Sequence, residues 1–432
     1  MALIYRSLVD DIKKQIESGN IVILLGARQV GKTSILMILI EEFKKVKPVK
    51  SIFYFDLEKG ENLELLSDYR NLINYLTLQG ADLKGVNYLF IDEFHYLPTP
   101  NKILKILHDS HPNLRIIATG SSSLEITSKI KESLAGRKRV FTIYALNFEE
   151  YLRFKTSPLI DILLRAKQNK IRLTPPILNE ILSEWEEFCV FGGYPKVTLI
   201  QEKEEKIKEI EEIYNSYVQK DIKAFLKLEN VLAYNKLVKI LAMQIGSLVN
   251  IHQLVPLIGV ARQTIERYLF VLENTYVMKL LAPFFTNKQK EITKMAKSFF
   301  YDTGIRNYAL KDFRTLGLRP DCGNLVENGV FSEATKSLNV LQNLHFWRTQ
   351  AKTEVDFILS HNGEIIPIEV KYQHFDRPKI SSSLKAFISQ YRPLKGYVLN
   401  KDYYGVISYL ESEIEFLPVF LVGSIISENF NI

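Results

Sequence analysis

Cysteine is scarce: the chain carries two, Cys189 and Cys322, among 432 residues. Two distant thiols make neither a disulfide framework nor a zinc pattern, and they point to a reducing compartment. Long apolar runs are missing as well. The stretch from Phe416 to Ile426 is shorter than the roughly 20 residues that a bilayer-spanning helix needs. Asp10, Asp11, Lys13 and Lys14 precede any long apolar run. No membrane span and no secretory signal are therefore expected, and the cytoplasm is the expected location. Internal repeats and low-complexity segments are absent. The remaining composition, 47% hydrophobic and 24% charged, excludes a disordered tail protein and a collagen-like repeat. A net charge of +7 permits an acidic partner without establishing one.

The length predicts about three domains, and the pattern along the chain divides into four segments. Residues 1–150 alternate short β-branched or aromatic runs with helical patterns, which predicts an α/β fold with a parallel sheet. Five strands are expected there: Ile21 to Leu25, Ser51 to Leu57, Tyr88 to Asp92, Leu114 to Thr119 and Val140 to Leu146. Residues 151–231 read as helical, ending in an amphipathic run from Glu202 to Glu229 whose charges form a solvated face. Residues 232–302 read as helix (Leu237 to Ile245), helix (Ile251 to Leu257), tight turn (Ile258 to Val260) and helix (Ala261 to Asn274), followed by two apolar strands. That order predicts a winged helix-turn-helix. Residues 303–432 return to mixed α and β.

Gly26-Ala27-Arg28-Gln29-Val30-Gly31-Lys32-Thr33 fits G-x-x-x-x-G-K-[ST], directly after a strand and before the helical pattern that Ser34 opens. Motif and context together predict a P-loop, in which backbone N–H groups and a helix N-terminus hold phosphate. Lys32 is expected to reach the β- and γ-phosphates of ATP and Thr33 to bind Mg²⁺. The strand Tyr88-Leu89-Phe90-Ile91 ends in Asp92-Glu93, the form of a Walker B motif. Asp92 is expected in the Mg²⁺ shell and Glu93 at the attacking water.

An extra strand between these motifs resembles the catalytic-glutamate class of P-loop proteins. That resemblance implies a polar sensor at the end of the next strand, with Thr119 ahead of Ser121. It also implies an arginine, Arg137, offered to a neighbouring subunit's nucleotide; a surface arginine in a basic loop with Lys138 and Arg139 is the other reading. GARQVGKT, FIDEFHYLP, ATGSSS, LAGR, FGGYP and FYDTGIRN together resemble the archaeal and bacterial AAA+ ATPases that carry a C-terminal domain of unknown function. The family often has glutamine where His95 stands. It further implies that Gly192-Gly193-Tyr194-Pro195 acts as a lid touching adenine, although a simple turn explains the motif almost as well.

Between Val260 and Phe300 stand seven basic residues (Arg262, Arg267, Lys279, Lys288, Lys290, Lys294, Lys297) and three acidic ones (Glu266, Glu273, Glu291). The excess favours phosphate contacts by the helix opened by Arg262, with duplex DNA as partner. A rigid lid or docking face is the competing role. Beyond it, Asp356, then Glu369-x-Lys371, in an α-β-β-β-α-β order resembles the PD-(D/E)XK nuclease fold. The resemblance implies a second Mg²⁺ or Mn²⁺ held by Glu327, Asp356 and Glu369, with Lys371 stabilising charge and Gln373 continuing the face. Asn328 and Glu333 read as helix-surface or packing residues.

The resulting expectation is a cytoplasmic Mg-ATP hydrolase that forms homo-oligomers and uses no membrane. An ATP-gated, metal-dependent DNA nuclease and a non-catalytic nucleotide switch with a protein partner are the alternatives.

Overall fold

The computed structural model describes residues 4–121, 134–168, 171–216, 230–285 and 294–428. The chain divides into two compact units. One holds residues 1–145, 216–228 and 274–276; the other holds 146–215, 229–273 and 277–432.

The first unit is built on five parallel strands: β1 (Ile21–Gly26), β2 (Ile52–Asp56), β3 (Asn87–Asp92), β4 (Leu114–Ser121) and β5 (Lys138–Ile143), in the order β2-β3-β4-β1-β5. Strand β1 lies between β4 and β5 and is buried along its whole length, which is why it reads as an unbroken apolar run. Strands β1 and β3 are flanked by apolar residues from the helices, among them Leu72, Leu76, Leu104 and Leu107. Because all five strands run the same way, Gly26, Asp92 and Thr119 come out at one edge of the sheet. Strand β5 begins and ends earlier than Val140 to Leu146, because Leu146 gives its N–H to the Gly193 carbonyl instead of to a neighbouring strand.

The second unit contains helices Phe148–Phe154, Leu159–Gln168, Pro175–Phe191 and Lys203–Ser216. The continuation of the last pattern, with Tyr217 and Phe225, lies outside the described residues. Helices Val231–Met243, Ile251–Ile258 and Arg262–Asn274 follow. The first of them starts earlier than Leu237, because Asn230 caps it by accepting the Ala233 N–H. The two-stranded antiparallel ribbon β6 (Met278–Leu281) and β7 (Lys297–Phe300) comes next. Helix Thr303–Leu310 leads into helix Cys322–Ser337, which is buried from Val330 through Ala334 with no polar stripe. It is therefore a core helix.

The unit closes with a six-stranded mixed sheet: β8 (Gln342–Arg348), β9 (Glu354–His361), β10 (Glu364–Lys371), β11 (Lys395–Asn400), β12 (Gly405–Tyr409) and β13 (Ser412–Pro418), ordered β12-β13-β11-β10-β9-β8. Helix Ser382–Tyr391 makes the crossover between parallel β10 and β11 and packs through Leu384, Phe387 and Ile388. The hairpin β12–β13 adds two strands that the sequence reading lacked. In β13 the buried Ile414 and Phe416 alternate with the outward Glu413 and Glu415.

Candidate nucleotide site and C-terminal acid cluster

The loop from Gly26 to Gly31 takes its shape from backbone constraints. A Cβ on Gly26 would lie 2.1 Å from the Ile143 carbonyl oxygen, so only glycine lets β1 approach β5 there. Gln29 (φ 60) and Gly31 (φ 94) occupy the left-handed region that turns the chain into helix Lys32–Val46. Lys32 is 6% exposed and donates to the carbonyls of Gly26 (3.2 Å) and Ala27 (2.8 Å). Thr33 and Ser34 stand exposed at the helix start, while Ala27 and Val30 are buried.

A residue the sequence reading passed over braces the loop. Arg6 is buried and donates to the carbonyls of Val30 (3.0 Å) and Tyr144 (3.1 Å). No motif marks it, since its partners are backbone atoms distant in sequence.

At the neighbouring strand ends, Asp92 is 4% exposed and accepts hydrogen bonds from the Thr119 hydroxyl and from Tyr54 (3.2 Å). The Thr119 oxygen in turn accepts the Glu93 N–H at 3.0 Å. One hydroxyl thus joins the two acids, in the place expected of the sensor. Glu93 adopts φ 54, an uncommon conformation for a non-glycine residue, and its Oε2 lies 3.0 Å from His95 Nδ1. Burial pushes the Glu93 carboxyl up. The His95 hydrogen bond and the charges of Lys32 and Arg28 outweigh that and hold it below the ordinary carboxylate value. The Tyr54 phenol is raised by burial and by the Asp92 and Asp56 charges, so it stays a donor. Gly120 fits because a Cβ there would meet Phe94 at 2.6 Å. Of the second sensor candidate, only the backbone of Ser121 in β4 is described; Ser122 lies outside the described residues. Arg137 donates to Asp109 at 2.7 Å within its own chain.

In the second unit, the Gly192-Gly193 pair has a tightly packed partner. Gly193 donates its N–H to Asp302 Oδ2 at 2.8 Å, and a Cβ on Gly192 would lie 2.2 Å from Asp302 Oδ1. Asn307 binds the Cys189 and Val190 carbonyls. FGGYP and FYDTGIRN are therefore the two halves of one buried joint, which accounts for the glycines without an adenine.

The acids of the last segment lie near one another, but they are paired, in part with the cations Lys297 and Arg348, which the sequence reading did not include. Glu327 Oε1 lies 3.4 Å from Lys297 Nζ, which also contacts Glu354 Oε1 at 2.5 Å. Arg348 pairs with Glu354 at 2.6 Å, and Lys371 with Glu369 at 3.2 Å. Asp356 Oδ2 accepts the Val370 N–H at 2.7 Å. Burial and the neighbouring Asp356 charge push the Glu327 carboxyl up against the pull of Lys297. Burial likewise raises Asp356, against Lys371 and the Val370 N–H. Among the described residues no three His, Cys, Asp or Glu side chains are grouped so that they could hold a metal ion. Gln373 lies beyond the end of β10 and is exposed, so it does not extend the face. Asn328 is fully buried and bonds both the N–H (2.8 Å) and the carbonyl (2.9 Å) of Phe300, while Glu333 accepts the Phe148 N–H.

The basic excess between Val260 and Phe300 is smaller at the surface than in the sequence. Lys297 is 1% exposed, Arg262 pairs with Glu266 at 2.8 Å and Lys279 with Glu273 at 3.5 Å. Arg267 and Lys294 are exposed; Lys288, Lys290 and Glu291 lie outside the described residues.

Residues 18–152 match a family described as an AAA domain. The parallel five-stranded sheet of the first unit, with its helices, matches a P-loop AAA+ fold. Residues 182–316 and 322–414 match two families described as domains of unknown function, DUF8612 and DUF4143. The chain is 26% identical over 391 residues to an uncharacterized protein of Methanocaldococcus jannaschii, covering 89% of this chain and 82% of the relative. It is 25% identical over 366 residues to one of Haemophilus influenzae, covering 83% and 84%. Among solved structures, it aligns with the ORC1 protein of Aeropyrum pernix in complex with DNA at 12% identity and TM-score 0.31, over 72% of this chain and 94% of that one. It also aligns with AMPPCP-bound DnaA from Aquifex aeolicus at 15% identity and TM-score 0.23, over 61% and 86%. No helix among the described residues is long and apolar enough to cross a membrane.

Proposed function

We propose that the first unit binds and hydrolyses Mg-ATP. The observation that carries this reading is the hydrogen-bonded set at the sheet edge, in which Thr119 joins Asp92 to the backbone of Glu93. Lys32 holds phosphate oxygens and neutralises their charge. The donor set suits Mg²⁺, because the Thr33 hydroxyl and Asp92 carboxylate are hard oxygen ligands. The ion, when bound, supplies charge neutralisation on the phosphates. Glu93, ionised and held by His95, orients the attacking water and accepts its proton. Arg137 serves a neighbouring subunit's site after leaving Asp109. Duplex DNA is the proposed partner of helix Arg262–Asn274, through Arg262 and Arg267. DNA cleavage is not included, because the C-terminal acids do not present a metal-holding set.

The test is phosphate release together with nucleotide binding. Glu93→Gln should bind ATP and release no phosphate, and Lys32→Ala should lose binding. Wild-type turnover in either variant would refute the assignment. Mixing Arg137→Ala with Lys32→Ala chains should restore part of the hydrolysis; a monomeric chain that hydrolyses ATP normally would refute the shared site.

A further inference from the structure

The resemblance of Asp356, Glu369 and Lys371 to a nuclease motif calls for a divalent metal on Glu327, Asp356 and Glu369, and the residues do not fit it. Each of the three acids already has an oxygen engaged by the protein: Glu327 with Lys297, Asp356 with the Val370 N–H and Glu369 with Lys371. We propose that Lys297 is the resident cation of this cluster, and that its ammonium, seated between Glu327 and Glu354, keeps the cluster from taking a divalent metal.

Three observations converge on Lys297. Its side chain is 1% exposed yet charged, and a buried ammonium persists only where acids surround it. It has two, Glu354 at 2.5 Å and Glu327 at 3.4 Å, with the Phe346 ring 5.3 Å away.

Its position is imposed by the fold and not by a flexible stem. Lys297 pairs with Leu281 in the ribbon and bridges to Leu248. Phe299, two residues on and hence on the same strand face, stacks on Phe331 with ring centroids 4.7 Å apart. Glu327 sits one helical turn before Phe331 on helix Cys322–Ser337, so the stacking that seats Phe299 also brings Lys297 to Glu327.

The third observation is the charge balance. Glu327, Glu354, Asp356 and Glu369 face Lys297, Arg348 and Lys371, so the excess is at most one negative charge, and burial, which pushes the Glu327 and Asp356 carboxyls up, only reduces it. A divalent ion added to this set would overcompensate it. Without Lys297 the excess could reach two, the charge of one such ion. The ammonium is therefore what sets the cluster against a metal.

The test uses the full chain without nucleotide, so its failure leaves the ATPase reading, judged by phosphate release, untouched. Free Mn²⁺ is followed by electron paramagnetic resonance during titration. The wild type should show no site tighter than millimolar that depends on Asp356. Lys297→Met should gain one Mn²⁺ per chain, lost again on adding Asp356→Asn, and Lys297→Arg, which keeps the charge, should gain none. A wild-type site of micromolar affinity that Glu327→Gln or Asp356→Asn abolishes would overturn the proposal. So would a Lys297→Met chain that melts cooperatively yet binds no additional Mn²⁺. Should Lys297→Met not fold, the wild-type and Lys297→Arg titrations decide: a micromolar, Asp356-dependent site in either overturns the proposal, and its absence from both supports it.

Discussion

Asp302 accepts the backbone N–H of Gly193 at 2.8 Å, although 109 residues separate them. The same carboxylate caps helix Thr303–Leu310 by accepting the Ile305 N–H at 3.1 Å. Burial pushes its carboxyl up, and the N–H groups of Gly193, Ile305 and Gly304 work against that. Two short motifs far apart in the chain thus depend on one side chain.

Removing that acceptor should be costly. Asp302→Ala leaves buried N–H groups without a partner, worth about 1–3 kcal/mol for each such group. Urea unfolding should show the loss, and Gly192→Ala should destabilise as well, since its Cβ would collide with Asp302. A midpoint equal to wild type in both variants would contradict the joint.

Arg6 is predicted to support nucleotide binding without touching nucleotide. Arg6→Ala removes the hydrogen bonds to Val30 and Tyr144 and should raise KM for ATP more than it lowers kcat. Arg6→Lys should rescue only part, because one ammonium cannot reproduce the planar fork that spans two carbonyls. Steady-state kinetics of the two variants checks this.

The Glu93–His95 pair has a pH signature. His95 helps hold the Glu93 carboxyl below its ordinary value, so Glu93 stays ionised and able to take a proton down to a lower pH. In His95→Ala the burial effect is opposed only by Lys32 and Arg28, and the carboxyl rises. The acidic limb of the kcat profile should therefore move to higher pH, with the alkaline limb unaffected by this group. An acidic limb in the same place would mean that His95 does not act on Glu93.

DNA affinity, if carried by helix Arg262–Asn274, should depend on salt through a small number of phosphates. Replacing Arg262 and Arg267 by Ala should flatten the slope of log affinity against log salt by about one unit for each phosphate that the helix no longer neutralises. Lys297→Arg should leave the slope unchanged, because Lys297 is buried among acids. Fluorescence anisotropy with a labelled duplex at several salt concentrations separates these outcomes.

The sequence alone determined the local chemistry of the first unit. A glycine loop between an apolar strand and a helix, followed by a strand ending in Asp92-Glu93, leaves little freedom, because backbone dihedrals and strand burial are set by residues adjacent in the chain. Five parallel strands were legible for the same reason. Tertiary structure decided what depends on distant partners: that Arg6 braces Val30, and that the glycines of FGGYP answer to Asp302. It also decided the fate of the basic excess and of the C-terminal acids. Lys297 counts as one more cation in the sequence, yet ribbon pairing and the stacking of Phe299 on Phe331 bury its ammonium between Glu327 and Glu354. Charge is written in the sequence, whereas its neutralisation depends on which side chains the packing brings within reach.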